Sequence, residues 1–259
     1  MLDLTKRLAR KVPQVTLLFW VIKLLSTALG ESTSDYLVNT FNPYLVVIAG
    51  FIGFIAVLSL QFSTKRYIPW VYWLTIVMVA VFGTMAADVT HVALGVPYVI
   101  STSAFAVLLA VVLFLWRHTE KTLSIHSITT TRRELFYWMT VSATFALGTA
   151  AGDMTAFSAG LGFFSAGLLF IAIFAIPAIG YKFFNMNSIF AFWFAYIITR
   201  PIGASFADWA GKPQSAGGLG YGDGPVAGVL AVLIMVLVAF LSITHDDVDT
   251  ASSSYKRTD

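Results

Sequence analysis

Residues 19–35 read FWVIKLLSTALGESTSD, and the same skeleton returns as YWLTIVMVAVFGTMAAD at 72–88, YWMTVSATFALGTAAGD at 137–153 and FWFAYIITRPIGASFAD at 192–208. Each copy is an aromatic residue and a tryptophan, nine residues, a glycine, four residues and an aspartate. The recurring set is Trp20, Trp73, Trp138 and Trp193, then Gly30, Gly83, Gly148 and Gly203, then Asp35, Asp88, Asp153 and Asp208. A fixed internal period outranks local propensity, because each copy is one unit that buries its apolar face only against its neighbours.

The sequence around these copies is too apolar for water. Of 259 residues, 58% are hydrophobic and 11% charged, with mean hydropathy +0.81; soluble domains carry about 25% charged residues. The chain therefore reads as an all-α integral membrane protein. Taking about twenty residues per crossing, eight transmembrane helices fit, at roughly 15–37, 43–62, 68–90, 96–116, 135–157, 160–181, 187–208 and 224–244. They group into repeats 15–62, 68–116, 135–181 and 187–244, between an N-terminal segment 1–14 and a disordered tail 245–259. Turns such as Asn42-Pro43-Tyr44 and Val96-Pro97-Tyr98 introduce the even helices. The fourth connection, Trp209 to Tyr221, is longer and glycine-rich, and is expected to be the mobile one.

Two spans per repeat return the chain to the same side, so the four odd helices run parallel and the bundle is expected to be pseudo-symmetric about the membrane normal. Of sixteen Lys and Arg, thirteen lie before the first helix, in the 2/3, 4/5 and 6/7 connections or after the last; Lys212 alone lies opposite. The positive-inside rule then places both termini in the cytoplasm. The tryptophans read as anchors at the inner interface and as packing groups. The aspartates, fifteen residues on at ~1.5 Å each, stand ~22 Å deeper in a core ~30 Å thick.

The residue after each glycine shares a helix face with the aspartate. It is Glu31, Thr84, Thr149 and Ala204, so three odd helices offer two oxygens on one face. Glu31 and the four aspartates are five formal negatives at membrane depth, against Lys23 and Arg200. Such an excess binds cations, holds protons or faces water. Arg200 is expected to pair with a carboxylate. Lys23, three residues from Trp20, is expected to reach the cytoplasmic interface, and His91 adds one possible metal ligand. The acids also have a purely structural reading, as caps of their helices, and the glycines one as close-packing positions.

Four tandem two-helix units with a recurrent tryptophan resemble the bacterial multi-pass membrane proteins built from a four-fold repeat of unknown function. The resemblance covers about residues 12–245. It implies a bacterial cytoplasmic-membrane protein and little biochemistry; Ala204 and the longer fourth connection depart from the strict repeat.

Zero cysteines exclude thiolate sites and disulfides. No basic stripe suits nucleic acid, no phosphate-binding glycine loop suits ATP, and no bound cofactor is implied. The leading expectation is a secondary transporter of small cations, with a hard divalent ion of the Mn²⁺ kind as substrate, exchanged for protons on the carboxylates and in contact with the bilayer. Two alternatives stand beside it. One is an intramembrane aspartyl protease, from Gly220-Tyr221-Gly222-Asp223 as a G-x-G-D match; the other is a non-catalytic membrane scaffold or regulator. Oligomeric state is not readable.

Overall fold

The computed structural model describes residues 10–247. Its long elements are eight α-helices: α1 (Leu17–Thr40), α2 (Pro43–Ser63), α3 (Pro69–Asp88), α4 (Tyr98–Glu120), α5 (Thr131–Asp153), α6 (Gly162–Phe183), α7 (Ser188–Gly211) and α8 (Asp223–Thr244). No strand occurs among the described residues. The starts are encoded locally. Asn42 Oδ1 accepts from the amides of Tyr44 and Leu45 with Pro43 at the first helical position, and Asn187 does the same for Ile189 and Phe190. Five-residue π-helical turns, Val89–Ala93 and Met154–Ser158, follow α3 and α5 directly after Asp88 and Asp153.

Six helices are long and apolar enough to cross a membrane: α2, α3 with its extension to His91, α4, α6, α7 and α8. The chain is a multi-pass membrane protein. The two helices outside that set, α1 and α5, carry Lys23, Glu31 and Asp35, and Arg132, Arg133, Glu134 and Asp153. Of these, Lys23, Glu31, Glu134 and Asp153 are buried, because both helices are packed against several others, while Arg132 and Arg133 stand at the surface near the start of α5. The helices α1, α3, α5 and α7 form a closed ring, each touching the next and α7 touching α1. On the outside α2 packs on α3, α4 on α5, α6 on α7 and α8 on α1, so each even helix mainly covers the odd helix of the following repeat. The outer helices expose apolar side chains such as Ile48, Ile52, Val107, Phe114, Val232 and Val236. Apolar surface of that extent belongs against lipid.

Two sets of contacts run round the inner ring. Phe19 meets Trp73 at 5.7 Å, Tyr72 meets Trp138 at 5.7 Å, Tyr137 meets Trp193 at 6.2 Å and Phe192 meets Trp20 at 5.7 Å between centroids. Thus each aromatic of a pair touches the tryptophan of the next repeat, and the fourth closes on the first. The glycines follow the same rule. A Cβ on Gly30 would strike Ala80, one on Gly83 would come within 2.8 Å of Phe145 Cβ, one on Gly148 would strike Arg200 and one on Gly203 would strike Thr27. In every case the partner lies three residues before the next repeat's glycine, so the missing side chains let the four backbones close the ring.

Several expectations change here. Trp73, Trp138 and Trp193 are 1%, 2% and 4% exposed and lie in the core, not at a lipid interface, because the even helices cover that end of the ring. Lys23 does not reach the interface. It is fully buried, its Nζ 4.0 Å from the Phe145 ring centroid and 4.3 Å from that of Tyr196, since its helix face points into the ring. The connection after α7 is tied down, not loose: the amides of Leu219, Gly220, Tyr221 and Gly222 bond the carbonyls of Trp209, Lys212, Ala210 and Gly211. Positive φ at Gly217, Gly220 and Gly222 makes that fold-back possible without strain.

The expected solvated tail also begins in a packed state. Asp247 is 2% exposed, its carbonyl accepts from Gln14 N and its carboxylate from the Tyr67 hydroxyl. Burial and then the Asp247 charge hold the Tyr67 hydroxyl above the usual tyrosine range. Residues 1–9 and 248–259 of the expected terminal segments lie outside the described residues. Residues 10–16 cross the same end of the bundle: Arg10 O accepts from Tyr67 N, Lys11 N bonds Ile128 O, and the Lys11 ammonium binds Glu134 at 2.5 Å and Phe62 O at 3.2 Å. Gln61 completes that buried group by donating to Glu134 at 3.0 Å.

Candidate functional site

In the middle of the inner ring Arg200 of α7 is wholly buried. Its Nη2 donates to Glu31 of α1 at 2.5 Å, to the Thr149 hydroxyl of α5 at 2.7 Å and to the Thr84 hydroxyl of α3, while Nη1 donates to Thr27 O at 3.0 Å. One guanidinium therefore ties together all four inner helices. The two threonines are the residues that follow the repeat glycines, and Glu31 is their counterpart in the first repeat. Arg200 itself occupies the position held by Thr27, Ala80 and Phe145 elsewhere, three before the glycine. The glycine of the preceding repeat, Gly148, leaves room for its stem.

Beside this pair the acids gather. One carboxylate oxygen each from Glu31, Asp153 and Asp208 lies within 4.8 Å of the others, and the three come from α1, α5 and α7. All three are at most 9% exposed. Asp35 is instead held by the Lys212 ammonium, which also lies 3.8 Å from Asp208 Oδ1. Burial lowers the Lys212 pKa, but the charges of Asp35 and Asp208 outweigh it and hold the ammonium above the usual lysine range. Ser34 and Ser205 have buried hydroxyls without a hydrogen-bond partner. Each is three residues from a gathered acid, Ser34 from Glu31 and Ser205 from Asp208, and so shares its helix face.

Other expected members stand apart. Asp88 is half-buried, outside the gathered three and without an ion-pair partner among the described residues. His91 sits in the π-turn after α3, 3.3 Å from Ser101 Oγ and from Val96 O and 4.2 Å from the Tyr98 ring, so it braces that turn rather than joining the acids. Asp223, the acid of the G-x-G-D match, lies against Gly211 at the start of α8 and is not one of the gathered carboxylates. A cavity of about 540 Å³ opens elsewhere, at the tryptophan end, between Trp20, the 123–126 loop, Phe174, Pro177 and Phe192; it touches none of the acids.

A family model, described as Repeat of Unknown Function (DUF347), matches residues 18–67, 71–122, 136–186 and 191–246. The chain belongs to this family. Comparison with curated proteins and with solved structures finds no match. Between the tryptophan and the aspartate of the DUF347 repeats, Lys23, Glu31 and Arg200 are the three places where one copy alone carries a charge at a shared position, and Glu31 and Arg200 pair. Lys212 lies in the last repeat's connection and escapes a reading confined to the repeated positions. Its signal was the four-residue spacing from Asp208, which brings a lysine back over an acid at a helix end. Counting it with Lys23 and Arg200 leaves two formal negatives among the five acids.

Proposed function

We propose that this chain is a secondary transporter of small cations in a bacterial cytoplasmic membrane, with a hard divalent ion of the Mn²⁺ kind as substrate and protons as the coupled ion. In this reading all eight helices cross the bilayer as four parallel repeats about one axis, with both termini cytoplasmic; the closed aromatic and glycine contacts support that arrangement. The observation that carries the function is the meeting of Glu31, Asp153 and Asp208 from three inner helices, oxygens within 4.8 Å. Hard cations bind oxygens at about 2.0–2.6 Å, so oxygens facing each other across one ion stand about 4–5 Å apart. Ser34 and Ser205 add buried hydroxyls lacking partners on the same faces.

Several acids crowded into a low-dielectric interior stay ionised only beside positive charge. Arg200 supplies one such charge to Glu31 and Lys212 another to Asp35 and Asp208; a divalent ion or protons supply the rest. Binding the ion releases protons, and reprotonation releases the ion. No nucleotide is needed. The test is Mn²⁺ uptake and opposing proton movement in liposomes containing purified protein. Asp153→Asn and Asp208→Asn are expected to abolish both fluxes, and Asp88→Asn to retain them in large part. Normal flux through correctly inserted Asp153→Asn and Asp208→Asn variants overturns the assignment.

A further inference from the structure

Lys212 is placed differently from every other cation in the interior. It follows the last residue of α7, and its backbone is clamped on both sides: its amide bonds Asp208 O at 2.9 Å and its carbonyl accepts from Gly220 at 2.9 Å. The fold-back of residues 219–222 therefore fixes where its stem starts. From there the ammonium reaches Asp35 on α1 and Asp208 on α7, bridging two inner helices at the end of the ring remote from the tryptophans.

The exposure gradient runs through it. The Lys212 side chain is 25% exposed, Asp35 15%, Asp208 7% and Glu31 4%. An ion approaching the gathered acids from that end meets the ammonium first. Asp208 is shared: it belongs both to the lysine and to the three oxygens within 4.8 Å. Its contact with Lys212, at 3.8 Å, is longer than a hydrogen bond, so the ammonium is held there by charge and not by a fixed bond. A partly exposed lysine pair of this kind contributes little to folding. Its effect on a competing cation is larger, because both seek the same carboxylate.

We infer that Lys212 is a tethered cation that occupies the outer edge of the acid cluster and is displaced by the transported ion, setting the affinity of the site. The inference rests on the cation-site reading above. It concerns a specificity residue outside the repeated set, supplied by the one connection that departs from the repeat. The unpartnered hydroxyls of Ser34 and Ser205 point independently to a ligand at this place.

The experiment is equilibrium Mn²⁺ binding to purified protein in detergent at fixed pH, for wild type, Lys212→Gln, Lys212→Met and Lys212→Arg, with Lys182→Gln as a control far from the acids. Methionine preserves the stem if glutamine prevents folding. Removing the ammonium is expected to tighten Mn²⁺ binding about tenfold, a difference of about 1.4 kcal/mol. Arginine, which keeps the charge, and Lys182→Gln are expected to stay near wild type. Equal or weaker binding by the folded Gln and Met variants overturns the inference and leaves the cation site standing. No binding by wild type or by any variant removes both.

Discussion

Gly148 of the third repeat rests on the stem of Arg200 of the fourth: a methyl on Gly148 would overlap Arg200 Cβ and Cγ and come within 3.1 Å of Pro201 Cδ. That contact lets α5 and α7 approach and aims the guanidinium at Glu31. Gly148→Ala is therefore an overpacking change at a buried charge. It is expected to cost about 1–3 kcal/mol, or about 2–10 °C in melting temperature. Gly228→Ala is the control. Nothing lies within 4 Å of a Cβ there, and the position is inside α8, so the melting temperature is expected to hold or rise. Thermal unfolding of the purified proteins compares them; an equal drop in both would deny the packing argument.

The Arg200–Glu31 pair is buried at 0% and 4% side-chain exposure. Removing one member of such a pair leaves a charge without its counter-charge and is expected to cost about 3–5 kcal/mol, whichever member goes. Replacing both by methionine is expected to cost much less than the two single changes added. A double-mutant cycle on unfolding measures the coupling, and additivity within about 0.5 kcal/mol would mean the pair does not act as a unit.

The repeat spacing made much of this legible. Equal Trp-to-Gly-to-Asp distances on four apolar helices imply a parallel set. The residue after each glycine, Glu31, Thr84 or Thr149, is the one that meets Arg200. What sequence did not reveal was which side of each odd helix looks inward and which helix covers it. Trp73 and Trp138 look like interfacial residues until α2 and α4 are seen to pack over the next odd helix. Lys23 looks like a residue that reaches the interface until its helix face is seen to point into the ring, at Phe145 and Tyr196. The spacing of Lys212 from Asp208 was legible, but its contact back to Asp35, 177 residues away, has no local signature.

At the tryptophan end, Lys11 is the ammonium that Glu134 holds at 2.5 Å, with Gln61 on the other carboxylate oxygen. Their side chains are 10% and 1% exposed. Glu134→Ala leaves Lys11 without its counter-charge and frees the Arg10–Thr16 segment from α5. A loss of about 3–5 kcal/mol is expected, together with faster proteolytic cleavage near residue 11. Glu120→Ala, whose partners Arg132 and Arg133 lie at the surface, is expected to cost under about 1 kcal/mol. Matching losses would show that the segment is not fastened by this pair.

Lys23 poses the opposite question to Arg200. Its ammonium is buried without a hydrogen-bond partner, and only the faces of Phe145 and Tyr196 attend it. A desolvated cation–π contact returns about 2 kcal/mol, whereas the effective penalty of burying the ion is several kcal/mol. Lys23→Met, similar in length and apolar, is therefore expected to raise stability by about 1–4 kcal/mol, where Arg200→Met lowers it. A costly ionisable group kept inside a membrane bundle is by default functional, so the same variant is expected to slow cation flux in liposomes while melting higher. A variant that melts lower than wild type would show that the aromatic faces outweigh desolvation, and one that melts higher with normal flux would place Lys23 outside the transport cycle.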